Sequence, residues 1–110
     1  MSYYREPYRT YEEALAAVKE NGHDLTWVPE KLRTPELCLA AVQQFGAAYC
    51  LLSEAQRTPE IYLAMVRHDG WALYYVPLDQ RTPEICLAAI HQNPTAVGYS
   101  PYSILELMAF

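Results

Sequence analysis

Positive charge is scarce in this chain. Eight lysines and arginines stand against thirteen aspartates and glutamates, for a net charge of −5. The cationic residues do not gather in any one stretch. Affinity for DNA or RNA comes mainly from neutralising phosphates, so no nucleic-acid partner is expected. The acidic excess is also too small and too dispersed for a mimic of DNA. Glycine is rare as well, and none of the four forms a glycine-rich phosphate loop. No apolar run reaches the roughly 18 residues of a membrane span, so no membrane association is expected. Met1 to Thr10 lacks the apolar core of a cleavable signal peptide.

Paired cysteines are missing too. There are three, an odd number, and no C-x-x-C spacing. Cys38 and Cys86 occupy one position of a repeating pattern, two units apart. Helices stacked about 8–10 Å apart would hold them on the order of 20 Å from each other. A disulfide needs Cα atoms within about 7 Å, so these two cannot pair within one chain. A reducing compartment follows. The localisation expected is cytoplasmic, or delivery into another cell without a cleavable signal peptide.

What is present is a repeat. Arg33-Thr34-Pro35-Glu36-Leu37-Cys38-Leu39-Ala40-Ala41-Val42 returns from Arg57 to Val66 and again from Arg81 to Ile90. A looser copy begins at Arg9-Thr10-Tyr11-Glu12. The arginines at 9, 33, 57 and 81 keep a step of 24 residues without insertion. A fixed period of this size marks stacked-repeat architecture. With 110 residues, 52% of them hydrophobic, the chain has length for one folded domain.

Each unit shares one grammar. Thr10, Thr34, Thr58 and Thr82 suit the N-cap of a helix, where the hydroxyl accepts from an unpaired first-turn N–H. Pro35, Pro59 and Pro83 follow at the first helical position, which needs no donor. Tyr11 replaces proline in the first unit, where Thr10 and Glu13 predict a capping box. Gly22, Gly46 and Gly70 are expected to end helices of about eleven residues as left-handed caps, with Pro94 in the last copy. A run such as Ile85-Cys86-Leu87-Ala88-Ala89-Ile90 is apolar around a full turn, so it predicts a helix covered on several sides. A shorter apolar piece after each stop predicts a second helix of one to two turns, docked on the first.

The expected fold is therefore all-α: a short α-solenoid of four 24-residue helical hairpin repeats, 9–32, 33–56, 57–80 and 81–104, in a single domain over 1–110. A C-terminal helix at about 102–110 is expected to cap the last repeat. The lead-in from Met1 to Tyr8, with Tyr3, Tyr4 and Tyr8, reads as irregular.

The run Asp69-Gly70-Trp71-Ala72-Leu73-Tyr74-Tyr75-Val76-Pro77, followed by Arg81 to Ile90, resembles the tandem helical repeat of the bacterial domain of unknown function 4116. The resemblance spans about residues 9 to 100 and is strongest over 33–92. It implies an all-helical repeat of bacterial proteins, some of them candidate effectors that meet host factors. It implies no activity and no catalytic residues.

Chemistry-bearing constellations are thin. His23, His68 and His91 show no i, i+4 metal spacing, and nothing ties a nucleophile to a base. No catalytic residue, metal site or cofactor is expected. Arg33, Arg57 and Arg81 could line one edge for an acidic partner. Pairing of each with a glutamate is the favoured, structural reading.

The sharper clue is where one copy breaks its own column. Phe45 stands where the others have Asn21, Asp69 and Asn93. Trp71 stands against His23, Ala47 and Thr95, Tyr62 against Ala14, Cys38 and Cys86, and Tyr74 against Thr26, Cys50 and Gly98. Large aromatics at small or polar positions suit interface anchors. The expected function is a non-catalytic protein–protein interaction module: an adaptor, an effector or an inhibitor by occupancy. Phe45, Tyr62, Trp71 and Tyr74 are its candidate binding residues. Self-assembly into dimers or arrays is the alternative. An enzyme or small-molecule binder with a pocket between helices is less favoured, because histidine, carboxylate and cysteine are scattered.

Overall fold

The computed structural model describes residues 10–109. Expectations about Tyr3, Tyr4, Tyr8, Arg9 and Phe110 lie outside the described residues. Every element among the described residues is helical. Two compact units follow one another along the chain, the first ending at Gln56 and the second starting at Arg57.

The first unit holds α1 (Tyr11–Glu20) and α2 (Pro35–Gln44), each followed by a six-residue 3₁₀ helix, Gly22–Trp27 and Gly46–Leu51. Three-residue 3₁₀ turns, Glu30–Leu32 and Glu54–Gln56, close the repeats. The long helices pack along each other, and the two six-residue helices also touch. Ala14, Val18, Leu25, Leu37, Ala41, Val42 and Ala48 are fully buried in this unit. The second unit repeats the order with α3 (Pro59–His68), Gly70–Tyr75, Leu78–Gln80, α4 (Pro83–Gln92) and Pro94–Tyr99. A last helix, α5 (Ile104–Leu107), ends it. Its core includes Ile61, Met65, Val66, Leu73, Val76, Ile85, Cys86 and Ala89.

Local chemistry starts every long helix as the threonines predict. The side chains of Thr10, Thr34, Thr58 and Thr82 accept from the N–H of the third helical residue, Glu13, Leu37, Ile61 and Ile85, at 3.2–3.3 Å. Tyr11 has its own use in place of proline. Its hydroxyl donates to Glu36 Oε1 at 2.8 Å and lies 2.9 Å from Thr34 Oγ1, tying the start of α1 to the start of α2.

Helix termination differs from expectation. No described residue, glycine included, has positive φ. Each long helix instead ends on an extended residue, Asn21, Phe45, Asp69 or Asn93, with φ of −146°, −140°, −151° and −148°. Three of these side chains then cap the following 3₁₀ helix: Asn21, Asp69 and Asn93 accept from the N–H two residues on. One residue thus ends one helix and starts the next, and no left-handed cap is needed.

Gly22 and Gly70 serve close approach. A Cβ on Gly22 would sit 2.3 Å from the Ala41 carbonyl oxygen, and one on Gly70 would sit 2.3 Å from that of Ala89. The Gly22 N–H donates to Gln44 Oε1 and the Gly70 N–H to Gln92 Oε1. The first 3₁₀ helix of each unit is therefore pinned at its start to the end of the second long helix.

The terminal helix is shorter than the expected 102–110 and has a Ser103–Glu106 capping box. Leu107 is 3% exposed, while Ile104, Leu105 and Met108 face outward. The cover expected around the last long helix is also incomplete, since Leu87 on α4 is 40% exposed.

Candidate functional site

Each unit builds its surface from the same clamped backbone. Arg33 Nε donates to the Val28 carbonyl at 3.1 Å, and its terminal nitrogens donate to those of Leu51 at 2.8 Å and Leu25 at 3.0 Å. Arg81 bonds the equivalent carbonyls of Val76 and Tyr99, both at 2.8 Å, while its third bond, at 3.1 Å, goes to Tyr74, one residue past the equivalent of Leu25. This use differs from the expected glutamate pairing. The planar guanidinium donates to carbonyls at the ends of two neighbouring 3₁₀ helices, and the Leu25 carbonyl that Arg33 meets also accepts from the Val28 N–H. Both arginines are half-buried, and so is Arg57 at the start of the second unit.

On the second unit this clamp carries a cluster of rings. Trp71 lies edge-on to Tyr99, with centroids 5.5 Å apart and planes at 65°. Tyr74 meets Tyr99 at 5.4 Å and 65°, and Tyr75 at 5.3 Å and 80°. These are the separations and tilts favoured by aromatic quadrupoles. Trp71 is 46% exposed, and Tyr74 and Tyr75 are each 60% exposed. Two of the clamped carbonyls belong to Tyr74 and Tyr99, so Arg81 fixes the backbone directly beneath the rings.

Of the sequence candidates, Trp71 and Tyr74 are brought together here, joined through Tyr99. Phe45 belongs to the first unit. It occupies the capping position of its 3₁₀ helix but forms no side-chain cap bond. Its ring is 39% exposed and sits 5.9 Å from that of His23 at a 58° tilt. Tyr62 requires a correction. It is 2% exposed on α3, so it fills the core where other copies carry smaller residues, and no external partner reaches it.

Tyr75 and Tyr99 escaped the sequence reading. Their column holds Trp27, Leu51, Tyr75 and Tyr99, so neither breaks it. Adjacency was the available signal: Tyr75 directly follows Tyr74, and Tyr99 holds the equivalent place one repeat on.

An open groove of about 610 Å³ lies on the second unit, lined by Arg67, Leu87, Ala88, Ile90, His91 and Gln92. It gathers one histidine with aliphatic walls. Among the described residues, no three or more histidine, cysteine and acidic side chains assemble as metal ligands. Cys38 and Cys86 are buried free thiols, and burial pushes both up from the ordinary thiol range. Cys50 is free and exposed.

The geometry is that of an all-helical protein made of repeated helix–turn units. A family profile described as Domain of unknown function (DUF4116) matches residues 11–56 and 58–105. The chain belongs to this family, and the two matched segments coincide with the two compact units. No curated protein and no solved structure matches it. Among the described residues, no helix is long and apolar enough to cross a membrane.

Proposed function

We propose that this protein is a non-catalytic protein-binding module whose principal contact is the ring cluster of the second unit. The observation that carries the reading is the joining of Trp71, Tyr74, Tyr75 and Tyr99 on carbonyls held by Arg81. Rings held in mutual contact lose little further side-chain entropy on binding. Tryptophan and tyrosine combine large apolar area with a polar tip, and they dominate the energetics of protein interfaces. The net charge of −5 argues against nucleic acid as the partner.

Phe45 is proposed as a second contact, on the first unit. Its column is a capping position where asparagine or aspartate is worth about 1 kcal/mol, and a phenylalanine there gives that up. An adaptor, effector or occupancy inhibitor would each use these surfaces in the same way. For the chain as a whole we retain the four-repeat α-solenoid in a single domain, supported by the unbroken 24-residue step across Gln56 and Arg57. A cytoplasmic or other reducing location suits its unpaired thiols.

The test is affinity capture from the native host, comparing wild type with Trp71→Ala/Tyr74→Ala and, separately, with Phe45→Ala. The expected result is a specific protein retained by wild type and lost by the double variant, while cooperative melting persists. Retention of the same proteins by both forms would sink the assignment of the cluster as the contact.

A further inference from the structure

The long helices share one pattern of burial until the last. Val18 on α1 and Val66 on α3 are both fully buried, and α2 and α4 pack along those two helices within their units. Ile90 holds the same repeat position on α4 and is only half-buried. Leu87, nearly one turn earlier, is 40% exposed. These two form the aliphatic wall of the groove, with Ala88 between them and Arg67 and His91 among its polar lining. The described residues of α5 do not line that groove.

The outer stripe of α4 is self-complementary. Glu84, Leu87, Ala88 and His91 follow the i, i+3, i+4, i+7 spacing that places residues on one helix face. The stripe begins with an acid, has a large and a small residue at its centre, and ends with a histidine. Glu84, Leu87 and His91 are exposed, and Ala88 is half-buried.

We propose that α4 pairs with α4 of a second copy of this chain, antiparallel about a two-fold axis between positions 87 and 88. Leu87 then sets its side chain over the partner's Ala88, and the reverse contact follows from the symmetry. Glu84 faces the partner's His91 at both ends. A parallel alignment would oppose the Glu84 carboxylate to its own copy, so the antiparallel one is selected. An isologous contact of this kind closes at the dimer. One helix face covers less than the roughly 800 Å² per partner of a stable interface, so the dimer is weak and depends on concentration. This surface is separate from the ring cluster and does not rest on it.

Sedimentation equilibrium from about 10 μM to about 1 mM tests the proposal across the relevant affinity range. Wild type is expected to rise from monomer towards dimer mass. Leu87→Glu, at an already exposed position, is expected to weaken association at least tenfold with circular dichroism unchanged. His91→Glu should weaken it several-fold by setting carboxylates against each other, Glu84→Lys should weaken it by removing the Glu84–His91 contact, and the two together should restore it through a Lys–Glu pair. The restoration is a readout that a merely structural role would not give. A monomer at every concentration overturns the proposal. So does a dimer that Leu87→Glu leaves intact and Trp71→Ala/Tyr74→Ala dissolves, which would move self-association to the ring cluster.

Discussion

The two units share a frame and differ in what they display on it. Gly22, Arg33 and Gln44 in the first recur two repeats later as Gly70, Arg81 and Gln92, with equivalent hydrogen bonds. On this common frame the first unit carries His23 against Phe45, and the second carries Trp71, Tyr74, Tyr75 and Tyr99. The lesson is a division of labour between positions. Residues whose partners are main-chain atoms hold both units in one shape, because the backbone of each unit offers acceptors at equivalent places, Val28 and Leu51 in the first and Val76 and Tyr99 in the second. Residues whose partners are other side chains are free to diverge, and there the units have come to differ.

The strongest way to break the frame is at its glycines. Gly22→Ala is expected to cost about 3 kcal/mol in urea unfolding, because the new methyl would collide with a main-chain carbonyl that cannot swing aside. Gly70→Ala should cost nearly as much, its next contact being looser: Asn93 Cβ at 3.0 Å against Phe45 Cβ at 2.7 Å. Gly98 is the control. Nothing lies within 4 Å of its Cβ position and its φ is not positive, so Gly98→Ala should raise stability by up to about 1 kcal/mol.

The arginine clamps come next. Arg33→Met and Arg81→Met should each lose about 2 kcal/mol, reflecting several charge-assisted bonds partly replaced by water. Lysine in either place should recover less than half, since one ammonium cannot span three diverging carbonyls. Equal losses in the two units would sharpen the view of a shared frame. Near-UV circular dichroism should respond more to Arg81→Met, whose clamp lies under Tyr74 and Tyr99.

The buried thiols give a pH test. Burial raises Cys38 and Cys86 above their unfolded values, with Arg33 and Arg81 opposing the shift. A raised folded pKa contributes stability that is present below the unfolded value and lost as pH rises through the folded one. Stability should therefore decline above about pH 9, and Cys38→Ala/Cys86→Ala should flatten that decline. A thiol reagent should modify Cys50 rapidly and the other two only as fast as the protein opens.

The smallest effect is expected at Phe45→Asn, which gives the first unit the cap that Asn93 supplies in the second. The gained cap should offset the lost contact with His23, leaving stability within about 1 kcal/mol of wild type. Thermal denaturation would show this. A much larger loss would make Phe45 part of the frame.

The period, the threonine caps and the prolines were legible because each depends on neighbours only a few residues away. Other residues were legible as unusual but misread in role. Gly22 and Gly70 looked like left-handed caps, yet what requires them is a carbonyl on the next long helix, nineteen positions away in sequence. Tyr62 broke its column as conspicuously as Trp71 did. A column comparison registers size and cannot tell an enlarged core from an exposed anchor. Tyr75 and Tyr99 broke no column and became visible only through their contacts.

The sequence by itself determined the helical repeat, its 24-residue step and the starts of its long helices, because capping and helix geometry act within a turn of chain. Only the tertiary structure decided that the arginines clamp carbonyls, that Tyr62 is core, that four rings join on the second unit and that α4 keeps an open face. Each of these depends on which atoms meet across segments, and that follows from packing distance rather than from the order of residues.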